Sequence, residues 1–444
     1  MSLTGGEVAR KVVHMSVGGF AFLLRFLGPL WGAVLAIVAF LFNWKVLPRL
    51  GGRHLLREGE KTSGRSIGVL LYPVCVLLLI LLFHRRLEVA AATWAILAFG
   101  DGMASLVGMS IGRAKLPWNP DKSWAGTLAY WLFGTAGAVT LLLWTAPGRY
   151  DWTFALIVSA VTALVAAALE SLPQGLDDNI GVPLVSGLLL YGLVLSAGGW
   201  AALPAAGLWM ALTIGGAINA VLALAAYGAK SVNLSGAIAG WLIGTTIWGF
   251  LGWQGFLVLL AFFVLGTACT KLGYQRKAEK NLAQEGGGRR GARHALANTG
   301  VALACAVFAA TTPHPLVFAL AFAGAFATAA ADTAGSEIGQ LMGKRTFLIT
   351  NLKRVPPGTE GAVSMEGTAA GVLASAVIGV LAAAVGLFPW LGVAVVVIAA
   401  FVGTTLESLV GATLEKRGLL DNEAVNFLNT LVGAASAGAL AFLV

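Results

Sequence analysis

The chain has 444 residues, of which 58% are hydrophobic and 11% are charged, and its formal net charge at pH 7 is +9. This composition excludes an ordinary soluble domain, because apolar stretches of bilayer-spanning length recur from end to end. The stretches lack the two-residue alternation of a transmembrane β-barrel. We therefore predict an all-α, polytopic membrane protein. We expect no nucleic-acid partner, because the basic residues concentrate in a few loops.

Hydropathy predicts about fifteen membrane spans. In chain order they lie near residues 14–27, 29–47, 66–83, 87–112, 124–145, 152–171, 183–198, 201–226, 235–250, 255–272, 295–311, 315–343, 366–386, 389–412 and 424–443. With the N-terminus inside, the main basic loops all fall on one side, which the positive-inside rule makes cytoplasmic. The short cluster of His84, Arg85 and Arg86 is the exception. We expect a multi-pass protein of a bacterial-type inner membrane. The N-terminal stretch lacks a cleavage site and is not expected to be a signal peptide.

The sequence AFGDGMASLVGMSIGR in the first half aligns with AAADTAGSEIGQLMGK in the second, so that Asp101 corresponds to Asp332. Each Asp is followed by Ser at +4, Gly at +7 and +11, and a cation at +12, which is Arg113 or Lys344. On a helix the first four positions fall within about 60° of one another. The pattern predicts a stripe with a carboxylate, a hydroxyl and two glycines that admit close approach of a backbone or ligand.

Three further landmarks follow in the same order in both halves. DKSWAGT is matched by AVSMEGT, and ALES, with Glu170, by TLES, with Glu407. An Asp-Asn pair then begins at Asp178 in the first half and at Asp421 in the second. We therefore predict two homologous domains in parallel orientation, residues 1–205 and 206–444. Each would build one polar site at the cytoplasmic face.

Ionisable groups at membrane depth are costly unless they are paired or face a cavity, so they indicate function. Carboxylates, cations, hydroxyls and glycines together suit a nucleoside triphosphate with Mg²⁺ or Mn²⁺. The P-loop and kinase glycine-loop motifs are absent. A structural interhelical hydrogen bond is the alternative for each carboxylate, and an interfacial position is the alternative for His14. We interpret the other histidines, including His294, as incidental.

The segments EVARKVVH, GRSIGVLLYP, GDGMASLVGMSIGR and DKSWAGT resemble the phytol kinase and dolichol kinase family of CTP-dependent polyprenol kinases, over about residues 5–200. Cytidylyltransferases that make CDP-diacylglycerol carry a related pattern, but their paired Asp residues in a His-Gly-Gly context are absent here. Dolichol kinases commonly have Glu where this chain has Ala125, so no acid role is assigned to that position.

The segments LSGAIAGWLIG, HALANTG, ADTAGSEIG, FLITNLKRVPPGTEGAVSMEGTAAG and TLESLVGATLEKRGLLDN are similar to the phytyl-phosphate kinase family, over nearly all of residues 213–444. Glu360 and Ala362 depart from its usual GTNGGVS sequence. Together the resemblances imply two sequential phosphorylations of a lipid alcohol such as phytol or geranylgeraniol. The first domain would make the monophosphate, with CTP as the implied donor and another nucleotide as the alternative. The second would make the diphosphate.

The candidate site residues follow from these patterns. In the first site Asp101 is a metal ligand or acceptor base, and Glu170 and Asp178 are supporting metal ligands. Lys122 and Arg113 would neutralise phosphate charge, and Ser123 and Thr127 would bond phosphate oxygens. Arg10, Lys11 and His14 would close the site from the first span. In the second site the acidic residues are Asp332, Glu337, Glu366 and Glu407, and the metal ligands are Asp332 and Asp421. The basic residues are Lys271, Arg293, Lys344, Lys353 and Arg354. The neutral hydrogen-bonding residues are Asn298, Thr359, Ser364 and Thr368.

Two other functions remain open at this point. A cytidylyltransferase would release pyrophosphate and make a CDP-lipid, whereas a kinase would release the nucleoside diphosphate. A transporter built from parallel repeats would favour polar residues near the membrane midplane, accessible from both sides. One domain could also have become an inactive scaffold, and a homo-oligomer is compatible with the sequence.

Overall fold

The computed structural model describes residues 5–49, 67–173, 178–279, 289–417 and 420–444. Eleven helices in these ranges are long and apolar enough to cross a membrane, and two further apolar helices are shorter. The strands of the described chain form only two small antiparallel hairpins. The prediction of an all-α integral membrane protein is therefore confirmed.

The chain divides into two compact units, Met1–Leu195 and Ser196–Val444. The second unit begins about ten residues before the predicted boundary at 205/206. Its first helix contacts the helix that ends at Thr311. Gly199 lies so close to the Thr311 backbone that a Cβ atom would not fit between them.

The first unit consists of eight helices in its described residues, interrupted by short 3-10 and π-helical segments. They are α1 (Gly5–Gly18), α2 (Leu24–Leu41), α3 (Ile67–Leu82), α4 (Leu87–Ala95), α5 (Asp101–Ile111), α6 (Trp124–Thr145), α7 (Trp152–Ser171) and α8 (Asp178–Leu195). The π-helical segment Ile96–Gly100 joins α4 to α5. The buried core is built from α3, α4, α6, α7 and α8, with mostly Ala, Leu, Ile and Val side chains.

The second unit consists of nine helices in its described residues. They are α9 (Gly199–Ala202), α10 (Ala205–Gly228), α11 (Leu234–Lys271), α12 (Tyr274–Glu279), α13 (Ala292–Thr311), α14 (Pro315–Met342), α15 (Met365–Ala384), α16 (Leu391–Val410) and α17 (Asn422–Ala439). The α14 helix is central, because it packs against α11, α13, α15, α16 and α17. Its run of small residues suits this position, since alanine and glycine let neighbouring helices approach closely.

Two glycines break helical stretches that would otherwise be too long for a bilayer, namely α11 and the 39-residue stretch Val8–Val46 that contains α2. A straight helix of 38 residues, the length of α11, measures about 57 Å, nearly twice the thickness of the hydrocarbon core. The backbone at Gly252 has φ 64°, which is not helical, so α11 changes direction there. As a result Gly255 lies close to the preceding helical half, where an added Cβ would be 3.2 Å from a methyl of Ile247. Gly28, with φ 67°, breaks α2 in the same way. Each break separates two predicted spans.

Each unit also contains a short hairpin that leads into a helix through a serine. In the first unit β1 (Lys115–Leu116) pairs with β2 (Asn119–Ser123), and in the second β3 (Thr346–Leu348) pairs with β4 (Ala362–Ser364). The serine that ends the second strand is the N-cap of the next helix, α6 or α15. Serine suits this position because its oxygen accepts a bond from a free backbone N–H of the first turn. The local structure is therefore the same in both units.

Candidate functional site

In the first unit the carboxylate of Asp101 lies between two side chains of α1. Asp101 begins α5, directly after the π-helical segment. Its Oδ2 accepts a 2.7 Å hydrogen bond from Lys11 Nζ and lies 3.5 Å from His14 Nε2. The His14 Nε2 atom is also 3.2 Å from the carbonyl oxygen of Leu97. Because the Lys11 and Asp101 side chains are only 11% and 20% exposed, their charges are poorly screened and the pairing orients both groups.

A second lysine–carboxylate pair lies at the same end of the first unit. Lys122, in β2, donates to Glu170, which is buried near the end of α7. The hairpin is also held to α7 by the Asn119 side-chain amide, which donates to the Ser171 carbonyl at 3.1 Å. Lys122 is close enough for its charge to act on Asp101 as well. The first site thus contains two carboxylates, each with its own lysine.

The predicted glycine stripe brings α5 against the start of α6. A Cβ on Gly108 would lie 3.3 Å from the Ser123 hydroxyl, and one on Gly126 would lie 2.9 Å from the Ala104 carbonyl. The Ser123 oxygen accepts from the backbone N–H of Gly126 at 3.2 Å. The glycines therefore admit the backbone of a neighbouring helix. Ser123, which was predicted to bind phosphate oxygens, caps α6.

The other residues predicted for the first site lie around this pair of helices. Thr127 is half-buried in the first turn of α6, and Arg113 is exposed just after α5. Arg10 is half-buried and near enough to His14 for its charge to act there. The Asp178 side chain lies outside the described residues.

In the second unit the corresponding carboxylates face one another rather than lysines. Asp332 of α14 and Glu407 of α16 are half-buried, and the charge of each interacts with that of Glu415. Within the described ranges neither Asp332 nor Glu407 forms an ion pair. The alignment places Val363 where the first unit has Lys122, so the second site lacks that lysine. Glu366 lies in the first turn of α15, two residues after the N-cap Ser364. Its carboxylate accepts a hydrogen bond from the backbone N–H of Lys344 at 3.4 Å.

Glu337 lies near enough to Asp332 for their charges to interact, but unlike Asp332 it forms a buried ion pair. It pairs with Lys277 of α12, whose side chain is 2% exposed. Lys277 Nζ also donates to the carbonyl oxygens of Thr270 at 3.0 Å and Cys269 at 3.4 Å. The Glu337 Oε1 atom is buried and has no hydrogen-bond partner among the described residues. Lys277 is not recognisable from the sequence, because several cations lie in the same loop and nothing local distinguishes the buried one.

The remaining predicted residues of the second site have various local roles. Asp421 caps α17 by accepting from the backbone N–H of Ala424 at 2.9 Å, and it pairs with Arg293. Ser364 caps α15, and Thr359 donates to the Pro356 carbonyl at 2.7 Å. Exposed positions are occupied by Lys271, Lys344, Lys353, Arg354 and Thr368. Asn298 is buried in α13 and lines a cavity beside Arg290 and His294. The sequence analysis left Arg290 unassigned and interpreted His294 as incidental.

The opposite end of the first unit carries the outer basic cluster, where Arg86 lies beside the carboxylate of Glu88. Glu88 accepts from Arg149 at 2.7 Å and from the Tyr150 hydroxyl at 3.1 Å, and it lies 3.5 Å from Arg86. The bond to Glu88 raises the pKa of Arg149 above its usual range, and burial raises the pKa of Tyr150 to about 12. Of the three residues that depart from the basic-loop pattern, Arg86 therefore lies within ion-pair distance of a carboxylate.

The acidic group of the second unit has the chemistry of a site for a hard divalent cation. Carboxylate oxygens are the preferred ligands of Mg²⁺ and Mn²⁺. Within the described ranges no cation lies within ion-pair distance of Asp332 or Glu407. Among the described residues no three His, Cys, Asp or Glu side chains are already gathered around one point. The oxygen donors suit such an ion by their chemistry, but the described residues do not form a complete set of ligands.

The fold and these sites define an all-α integral membrane protein in which each helical unit brings together a set of carboxylates near a hairpin-capped helix. The chain belongs to the family described as integral membrane protein DUF92, whose model matches residues 217–434. It is 42% identical over 221 residues to an uncharacterized membrane protein of Synechocystis sp.. That alignment covers 49% of this chain and 86% of the Synechocystis protein.

Two plant proteins are also similar. Protein VTE6, chloroplastic, of Arabidopsis thaliana is 37% identical over 210 residues, covering 46% of this chain and 63% of that protein. Phytol kinase 1, chloroplastic, of the same species is 30% identical over 206 residues, covering 42% of this chain and 66% of that protein. This chain therefore spans just under two thirds of both plant proteins. No solved structure matches it.

Proposed function

We propose that this protein is a prenyl alcohol and prenyl phosphate kinase. It would convert a lipid alcohol such as phytol or geranylgeraniol to the monophosphate in the first unit and to the diphosphate in the second. The donor would be CTP or another nucleoside triphosphate with Mg²⁺ or Mn²⁺, and both sites would face the cytoplasm. The similarity to a protein named phytol kinase supports the class of reaction.

The observation that carries the proposal is the position of Asp101 between Lys11 and His14 at a membrane-embedded helix start. A lipid alcohol must lose its proton as its oxygen attacks the terminal phosphorus of the donor. An ionised carboxylate is a suitable acceptor for that proton, and Lys11 favours the ionised form of Asp101. The O–P bond to the alcohol forms, the bond from phosphorus to the bridging oxygen breaks, and the nucleoside diphosphate leaves.

The second step places different demands on the protein. A phosphate monoester is already anionic near pH 7, because its second pKa is about 6. Its attacking oxygen needs no general base, but it must be brought close to a polyanionic donor. Asp332 and Glu407 would hold the divalent ion, which supplies neutralisation of the donor phosphates when bound. The cations of the hairpin region, such as Lys344 and Lys353, would contact the remaining phosphate oxygens.

The test is a product assay on the purified full-length protein. Phytol, geranylgeraniol or farnesol is incubated with each nucleoside triphosphate, and the lipid monophosphate and diphosphate are separated by chromatography. We expect both products and release of the nucleoside diphosphate. A CDP-lipid with pyrophosphate would instead identify a cytidylyltransferase. Absence of both phosphorylated lipids with every donor would exclude the kinase function.

A further inference from the structure

A cavity of about 130 Å³ lies in the second unit between α10, α11 and α13. Most of its lining is apolar and includes Leu222, Ala226, Ile243, Phe256, Leu259 and Phe262. A few polar side chains, among them Arg290, His294 and Asn298, line it as well. An apolar pocket with a few converging polar groups is the usual form of a site for a small amphipathic molecule.

Arg290 is a half-buried cation with a fixed position. Its backbone N–H donates to the Ser231 carbonyl at 3.2 Å, and its own carbonyl accepts from Asn233 at 3.1 Å. The guanidinium lies against Gly266 and is 3.4 Å from the Thr270 hydroxyl, so α11 holds it from one side. Burial lowers the pKa of Arg290 from its usual value, but a guanidinium remains charged at neutral pH.

No carboxylate in the described ranges forms an ion pair with Arg290. The charge of Glu337 does act on it, but Glu337 is already neutralised by its direct pair with Lys277. A half-buried charge that has lost part of its hydration and has no counter-ion is costly, and an anionic ligand would reduce that cost. Arg290 therefore gives the cavity a preference for an anionic group, and its planar fork matches the geometry of phosphate.

His294 and Asn298 extend the polar side of the cavity along α13. They are separated by four residues and so share a face of the helix. The Asn298 side-chain amide donates to the His294 carbonyl at 3.0 Å and lies 3.4 Å from its ring Nε2. Both side chains are within the first two turns of α13, whose positive dipole end also favours an anion.

We infer that this cavity binds a single-chain lipid monophosphate, with the phosphate at Arg290, His294 and Asn298 and the first part of the tail among the apolar side chains. The inference rests on the proposed function, because it assigns the acceptor site of the second phosphorylation. The volume is below the 300–1,000 Å³ typical of whole-ligand pockets. The cavity would therefore enclose only the part of the tail next to the phosphate, and the rest would extend into lipid.

The experiment measures binding without any nucleotide, so that it does not depend on catalysis. The full-length protein in lipid nanodiscs is titrated with geranylgeranyl monophosphate and with geranylgeraniol. A photoreactive analogue of the monophosphate, with a diazirine near the head of the tail, locates the site by peptide mass spectrometry. Arg290→Gln removes the charge, with Arg289→Gln at the neighbouring exposed position as its control. Ala223 of α10 lines the cavity, and Ala223→Phe fills it. Ala225→Phe, at an exposed position of the same helix, is its control.

We expect Arg290→Gln to weaken monophosphate binding by about 10- to 100-fold, the usual effect of losing hydrogen bonds to a charged group. Alcohol binding should change less than about threefold, because no charge is involved. Ala223→Phe should weaken binding of both lipids, and neither control should affect either one. Cross-links should lie on α10, α11 and α13. Inorganic phosphate and a two-chain anionic phospholipid should compete poorly.

Several results would overturn the assignment. Unchanged binding in both Arg290→Gln and Ala223→Phe, or cross-links outside these helices, would exclude this cavity. Loss of binding in Ala223→Phe alone would exclude the phosphate contact, and equal competition by the phospholipid would exclude the single-chain ligand. A phosphate-transfer assay on the same samples separates the two proposals. Binding here without transfer would refute the proposed function only, whereas transfer with an unaffected Arg290→Gln variant would refute this site only.

Discussion

The two hairpin-capped sites share a backbone arrangement and differ in charge. In both, a serine with nearly the same backbone angles, φ −133° and ψ 152° at Ser123 and φ −134° and ψ 156° at Ser364, caps the helix after the hairpin. In the first unit Asp101 and Glu170 are each paired with a lysine. In the second, Asp332 and Glu407 have no such partner among the described residues. The same frame therefore supports two electrostatic environments.

The difference teaches that a few side chains are enough to change what such a frame can bind. A carboxylate beside a lysine stays ionised and can accept a proton from a neutral hydroxyl. Carboxylates without cations repel one another, and a divalent ion relieves that repulsion. A neutral acceptor and an anionic acceptor would need these two environments respectively. Variants that alter one environment and leave the other intact test this contrast.

The largest expected effect is on the two catalytic steps. Asp101→Asn should lower alcohol phosphorylation by about 10²- to 10⁴-fold, the usual contribution of a general base, and should leave phosphorylation of supplied monophosphate unchanged. Asp332→Asn should lower phosphorylation of supplied monophosphate, because it removes a proposed metal ligand, and should leave alcohol phosphorylation unchanged. The measurement is the initial rate of each step with its own acceptor. Asp151→Asn, a helix cap at the opposite end of the first unit, is the control, because Asn also caps well. Equal loss of both steps in either variant would contradict separate sites.

The next effect is on stability and concerns the buried pair of the second unit. Lys277→Met should leave the Glu337 charge buried and uncompensated, at a cost of about 3–5 kcal/mol. The double variant Lys277→Met with Glu337→Gln should recover much of this loss, because the unpaired charge is gone. Thermal unfolding in detergent provides the measurement. A Lys277→Met variant as stable as the parent protein would show that the pair has little energetic importance.

The corresponding lysine of the first unit should matter less. Lys122→Met should destabilise the protein by about 2 kcal/mol, because the Lys122 side chain is 35% exposed and solvent can partly compensate Glu170. The comparison with Lys277→Met in the same unfolding assay tests whether burial sets the size of the effect. An equal or larger loss in Lys122→Met would contradict that explanation.

The smallest effect should be the same in both units. Ser123→Ala and Ser364→Ala each remove one N-cap bond, with an expected cost of about 1 kcal/mol. Ser→Asn at each position should restore most of the stability, because Asn caps nearly as well as Ser. The measurement is again thermal unfolding, with the two alanine variants side by side. A large difference between them would show that the two caps are not energetically equivalent.

Much of the architecture follows from local sequence. Long apolar runs predict helices because a bilayer leaves no partner for unpaired backbone groups except within the helix itself. The breaks at Gly28 and Gly252 lie between predicted spans, and glycine readily adopts the positive φ found at both. The spacing of glycines after Asp101 and Asp332 predicts the face on which another backbone can approach. These features depend on a few neighbouring residues, so the sequence alone is sufficient.

The charge environment of each carboxylate was decided only by the tertiary structure. Lys11 is 90 residues from Asp101, Lys122 is 48 from Glu170, and Lys277 is 60 from Glu337. A list of basic residues in loops cannot say which cation is buried and which is exposed, because that depends on how helices distant in sequence pack. The same holds for Arg290, whose importance arises from a cavity formed by three helices. Local sequence thus determined the helices and their polar stripes, and packing determined which charges meet.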